Sequence, residues 1–206
     1  YIEIIFHKRY LMKLSIEDIE NNWVVFEKLC GRLSDHNVKN MLTKFGERLS
    51  VCPASSRVDQ YSAYPGGLIQ HSLDVTSTMR KINDAHDLGL KLSSLLKVGL
   101  LHDLGKIGSE DKDHFVSQDS DWHREKLGQM FKFNEDLNKM SVSHRTLCLL
   151  QSCSVTLSNE EWIAIQLAQG SHFEENRFYV GHEPTLALTL QNSKAMVVHK
   201  FKLSNS

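Results

Sequence analysis

The stretch from Leu95 to Ile107, LLKVGLLHDLGKI, constrains this chain more than any other. Apolar residues at helical spacing lead to an adjacent histidine and aspartate, His102 and Asp103, and Gly105 then interrupts the run. An imidazole and a carboxylate side by side at the end of a buried helix are costly to desolvate unless something pairs with them. A divalent metal is the usual partner of such a mixed set. For a bare His-Asp dipeptide the plainer alternative is a core histidine hydrogen-bonded to its neighbour, and the rest of the chain has to decide.

The 206 residues suffice for one domain with its own core. Residues 12–206 read as that domain, with N-terminal helices over 12–50, a long loop over 51–67 and the main helical body over 68–201. Residues 1–11 are aromatic and basic, precede Met12, and read as an upstream extension without a function of its own. Lys and Arg total 24 against 25 Asp and Glu, a formal net charge of −1, which gives no electrostatic footprint for long duplex DNA. No apolar run approaches the roughly 18 residues of a membrane span, so no membrane partner is expected. Cys30, Cys52, Cys148 and Cys153 are scattered without a CxxC pair and read as reduced thiols in a cytoplasmic protein.

Along the chain the apolar spacing is helical. Ser15 and Asp18 form a capping-box variant ahead of a helix over about 15–31 with Ile16, Ile19, Trp23, Phe26 and Leu29 or Cys30 on one face. A second helix over about 35–49 aligns Val38, Leu42, Phe45 and Leu49. Both amphipathic helices would serve a homo-oligomer as well as a core. The segment Val51–Gly67 carries two of the three prolines and a Gly pair, so it reads as an extended loop. It opens onto a helix over about 68–82 with His71 in its first turn. Ser93 or Ser94 is expected to cap the helix carrying His102 and Asp103. The acidic stretch 108–121 reads as a solvated loop or a lid, followed by helices over about 122–133, 143–151, 158–169 and 184–201. Apart from the β-leaning Phe178-Tyr179-Val180, nothing alternates with period two. The fold class is all-α, a helical bundle of about seven or eight helices.

Two neighbouring antiparallel helices would bring His71, near the start of one, to His102 and Asp103, at the end of the next. The segments Tyr64–Leu73 (YPGGLIQHSL) and Gly99–Ile107 (GLLHDLGKI) resemble the first two motifs of the HD-domain superfamily of metal-dependent phosphohydrolases. The Gly-Gly-Leu lead-in is most similar to the branch of HD-domain exoribonucleases and nucleotidase-like proteins. The stretch from Met12 to about Phe201, including Trp122–Gly128, also resembles HD-domain proteins of tailed bacteriophages, which would place the chain in a host cytoplasm.

The resemblance implies that His71, His102 and Asp103 bind a divalent transition metal (Mn, Fe, Co, Ni or Zn). It implies hydrolysis of phosphoester bonds in nucleotides or short nucleic-acid ends. Asp103, Lys106 and His123 are the implied catalytic residues, and Arg57, Lys106 and Arg124 the candidate phosphate contacts. The superfamily signature closes with a further Asp on a late helix, whereas this chain has no Asp or Glu after Glu183. The closing position falls on Asn192, a weak metal ligand, or on Lys194, which would repel the ion. Tyr61-Ser62 stands where exoribonuclease-like relatives carry histidines, and Leu167–Gly170 lacks the His-Asp pair of the phage relatives. Two functions stay open: a working phosphohydrolase, or a degenerate HD scaffold that binds a nucleotide or a protein partner without catalysis.

Overall fold

The computed structural model describes residues 14–204, so the 1–11 stretch lies outside the described residues. The fold is all-α. Eight α-helices are found among the described residues: α1 (Ile16–Cys30), α2 (His36–Val51), α3 (Gly67–Ala85), α4 (Leu92–Leu101), α5 (Asp121–Leu127), α6 (Val142–Ser152), α7 (Asn159–Gln166) and α8 (Thr185–Ser204). Short 3-10 turns cover Gly31–Leu33, Leu104–Ile107, Leu167–Gln169 and Glu174–Tyr179. No helix among the described residues is long and apolar enough to cross a membrane, and the four cysteines are unpaired.

Local chemistry sets most of the boundaries. The Ser15 hydroxyl accepts from the Asp18 amide while the Asp18 carboxylate accepts from the Ser15 amide, a reciprocal cap that starts α1. Ser158 and Glu161 start α7 in the same way. Phe26 and Cys30 of α1 and Val38, Leu42, Phe45 and Leu49 of α2 are buried, while Ile16 is 79% exposed at the outer end of its stripe.

α3 and α4 pack against each other and bring the two motifs together. Gly66 precedes α3 with φ +80°, a left-handed conformation open to glycine at little cost, and a Cβ there would lie 2.8 Å from Ile19 Cγ1. At Gly67 a Cβ would stand 2.1 Å from the Ser62 carbonyl oxygen. The Gly pair thus lets the loop fold onto the first turn of α3, which places Tyr61 over His71. Gly99 allows the helices their close approach, since a Cβ would meet Thr76 Oγ1 at 2.5 Å and Thr76 Cα at 3.0 Å.

Several expectations are corrected. Ser93 and Ser94 do not cap α4: the helix starts at Leu92 behind Lys91, and the Ser94 hydroxyl donates to Glu161 at 2.8 Å instead. The helix expected over 122–133 ends at Leu127, because Gly128 adopts φ +59° and turns the chain. Phe131–Phe133 (β2) then pairs antiparallel with Phe115–Ser117 (β1) inside the acidic stretch, with Phe115 opposite Phe133. Three-residue strands are too short to show a period, so this small sheet left no alternation in the sequence. The β-leaning Phe178-Tyr179-Val180 forms the end of a 3-10 turn.

Candidate metal centre

His71 is the fifth residue of α3, just past its first turn. His102 follows the last residue of α4, and Asp103 begins the 3-10 turn Leu104–Ile107. His71 is 1% exposed, His102 and Asp103 0%. One ligand atom from each lies within 4.8 Å of the others, and the two imidazole centroids are 5.9 Å apart.

The protonation pattern follows from the partners. His102 Nδ1 lies 2.9 Å from the Gly99 carbonyl oxygen, which can only accept, so the ring carries its proton there. Its Nε2 therefore turns a lone pair towards Asp103 Oδ2, 3.6 Å away. His71 Nε2 and His102 Nε2 are buried without a hydrogen-bond partner. Burial pushes His102 down to about 4, only partly offset by the Asp103 charge. Burial, aided by the Lys106 charge, lowers His71 well below the usual histidine value. Both imidazoles are neutral at pH 7. The His102 Nε2 lone pair thus faces the Asp103 carboxylate with no proton between them, which is unfavourable in a dry site unless a cation lies among them. The donor set fits a divalent ion.

Two ammonium groups share this centre. Lys106 Nζ lies 2.7 Å from Asp103 Oδ2 as an ion pair, at an angle that leaves Oδ2 without a true hydrogen bond. Lys106 also donates to the Tyr61 hydroxyl at 2.8 Å. On the other oxygen, Asp103 Oδ1 accepts from Gln169 Nε2 at 2.8 Å and from Lys194 Nζ at 3.1 Å. Burial alone would raise the Asp103 carboxyl, but the Lys106 and Lys194 charges outweigh it and hold the group well below the usual carboxylate range. The Asp103 carboxylate in turn raises Lys106 above the ordinary lysine value despite its burial. One carboxylate against two ammonium groups leaves one unit of positive charge in the centre.

The other expected site residues lie apart from the cluster. Asn192 is exposed, so the ligand role weighed for it is corrected: Lys194, two residues on, is the α8 residue that reaches Asp103. His123 Nδ1 bonds the hydroxyl of its own helix cap, Ser120, at 2.8 Å. Arg57 pairs with Asp59 at 2.8 Å, and Arg124 pairs with Asp121 and the Gln118 carbonyl. Tyr61 and Gln169 were not expected at the centre. The Tyr61 ring sits 4.6 Å from that of His71 and covers it.

Beside Tyr61 and Lys106 opens a cavity of about 360 Å³, lined also by Ser55, Ser56, His114 and Lys202. A roomier groove of about 1060 Å³ borders α1 and α2 and shares no lining residue with the centre or this cavity.

A family model for the HD domain matches residues 68–185. The chain belongs to the HD-domain superfamily. The matched span runs from α3 into the start of α8 and contains His71, His102 and Asp103. HD domains are a superfamily of metal-dependent phosphohydrolases, and the His-His-Asp cluster of this one could hold a metal ion. Comparison with curated proteins and with solved structures returned no match.

Proposed function

We propose that this HD-domain protein is a metal-dependent phosphohydrolase acting on phosphoester bonds of nucleotides or short nucleic-acid ends. The observation that carries this reading is the convergence of one ligand atom each from His71, His102 and Asp103 within 4.8 Å, all three buried, with His71 Nε2 and His102 Nε2 unpartnered. These three residues would hold a divalent transition metal. Such an ion, when bound, would polarise a phosphoryl oxygen and lower the pKa of a water.

The surrounding residues bind and orient. Lys106 stands between the centre and the cavity, where its ammonium balances phosphate charge that grows towards the transition state. The Tyr61 hydroxyl accepts from Lys106, so its own proton is free to donate to a phosphate oxygen. Its ring, laid over His71, keeps bulk water off the metal donors. A cavity near 360 Å³ suits one nucleotide or a chain end better than a polymer. The Gly-Gly-Leu lead-in before His71, similar to that of nucleotidase- and exoribonuclease-like HD proteins, points to the same substrates.

The test is a panel of 5′-mononucleotides, p-nitrophenyl phosphate and bis-p-nitrophenyl phosphate with added manganese or nickel. Metal-dependent cleavage is expected, with His71→Ala and His102→Ala each lowering kcat/KM by about 100-fold or more. Cleavage by the wild type no faster than by these variants would overturn the reading.

A second reading has its own support. Lys194 and Gln169 occupy the carboxylate that a metal would need, which favours a protein that binds nucleotides without turnover. In that case nucleotides raise the Tm while no metal elicits cleavage.

A further inference from the structure

Lys106 and Lys194 hold Asp103 from opposite sides, but they are not held alike. Lys106 is 5% exposed and has a second partner in Tyr61. Lys194 makes one polar side-chain contact among the described residues, 3.1 Å to Asp103 Oδ1, and its side chain is 11% exposed against 6% for that of Lys106. Gln169, a neutral donor, occupies the same oxygen. The centre already carries one surplus positive charge, so a divalent ion beside His71, His102 and Asp103 would face two ammonium groups across a dry space. Like charges at that range repel strongly where water is excluded. One ammonium has to leave, and Lys194 is the more exposed of the two and has no second polar partner among the described residues.

We infer that the Lys194 ammonium is a built-in competitor for the metal, occupying Asp103 in the metal-free chain and vacating it when a divalent ion is held. This rests on reading His71, His102 and Asp103 as the metal donors. The consequence is a centre that stays assembled without metal and loads it weakly, so that occupancy follows the free metal concentration.

The experiment titrates manganese alone into the full chain by calorimetry, comparing wild type with Lys194→Met and Lys194→Gln. Removing the ammonium is expected to tighten manganese binding at least tenfold, with His71→Ala as the non-binding control. Equal affinity in wild type and a folded Lys194 variant would overturn the competition while leaving the metal centre standing. Failure of every form to bind manganese would overturn the metal centre and the competition with it. A readout on the unmutated chain guards against misfolded variants: acylation of the Lys194 amine, followed by mass spectrometry, should speed up several-fold when manganese is added. An unchanged rate in chain that has bound manganese would also overturn the proposal.

Discussion

Replacing Asp103 with asparagine is expected to lower the unfolding free energy by about 3–5 kcal/mol, the usual cost of removing one partner from a buried charge network. The side chain keeps its shape, so no cavity accounts for the loss. Lys106, 5% exposed, is left facing a neutral amide with only the Tyr61 hydroxyl to help. Lys194→Met should cost far less, about 1 kcal/mol, because Asp103 keeps Lys106 and Gln169 and the surplus positive charge is relieved. Urea unfolding at pH 7.5 with a chelator present separates the two, because bound metal would otherwise add its own stabilisation. A loss below about 1 kcal/mol for Asp103→Asn would contradict the charge network described here.

Acid should destabilise the protein from about pH 6.5 downwards. His71 and His102 sit neutral in the folded chain, His71 well below the usual value and His102 down to about 4, whereas both titrate near 6.5 once unfolded. Between those values the unfolded chain binds more protons than the folded one. Stability is therefore intact above pH 6.5 and is lost as pH falls from there towards 4. Two such groups give a limiting slope of about 2.7 kcal/mol per pH unit. His114, pushed down to about 4 mainly by burial, adds in the same direction. Asp103, held low by the two lysines, extends the loss below its ordinary titration range. Against a typical stability of about 5–15 kcal/mol, the loss by pH 4.5 is a large share of the total. Urea midpoints measured in chelator from pH 7.5 to 4.5 check the slope, and a flat profile would contradict the buried neutral histidines.

The parts of this structure that could be read from the sequence are those governed by local or periodic chemistry. The reciprocal caps at Ser15 and Ser158, the buried faces of α1 and α2, and the meeting of His71 with His102-Asp103 all follow from spacing along helices. The choice between Asn192 and Lys194 was legible in principle. The buried α8 positions Leu186, Ala187, Leu190 and Ser193 define a face that includes 194 and leaves 192 opposite. Tyr61 and Gln169 left no such signal, because their roles depend on how a loop and a 3-10 turn fold back onto α3 and α4. Ser94 looked like a helix cap, yet a carboxylate distant in sequence, Glu161, competes successfully for its hydroxyl. The β1–β2 pair is likewise a long-range contact, held by the stacked Phe115 and Phe133 rather than by any local pattern.

The proposed centre is one cation site, built from His71, His102 and Asp103, which Lys194 and a divalent ion occupy in turn. Manganese-soaked crystals, with data collected at the manganese absorption edge, test it most directly. A single anomalous peak among His71 Nε2, His102 Nε2 and the Asp103 carboxylate is expected, with the Lys194 ammonium withdrawn from Oδ1. Soaked crystals showing no peak there, or a peak with Lys194 still bound to Asp103, would contradict it.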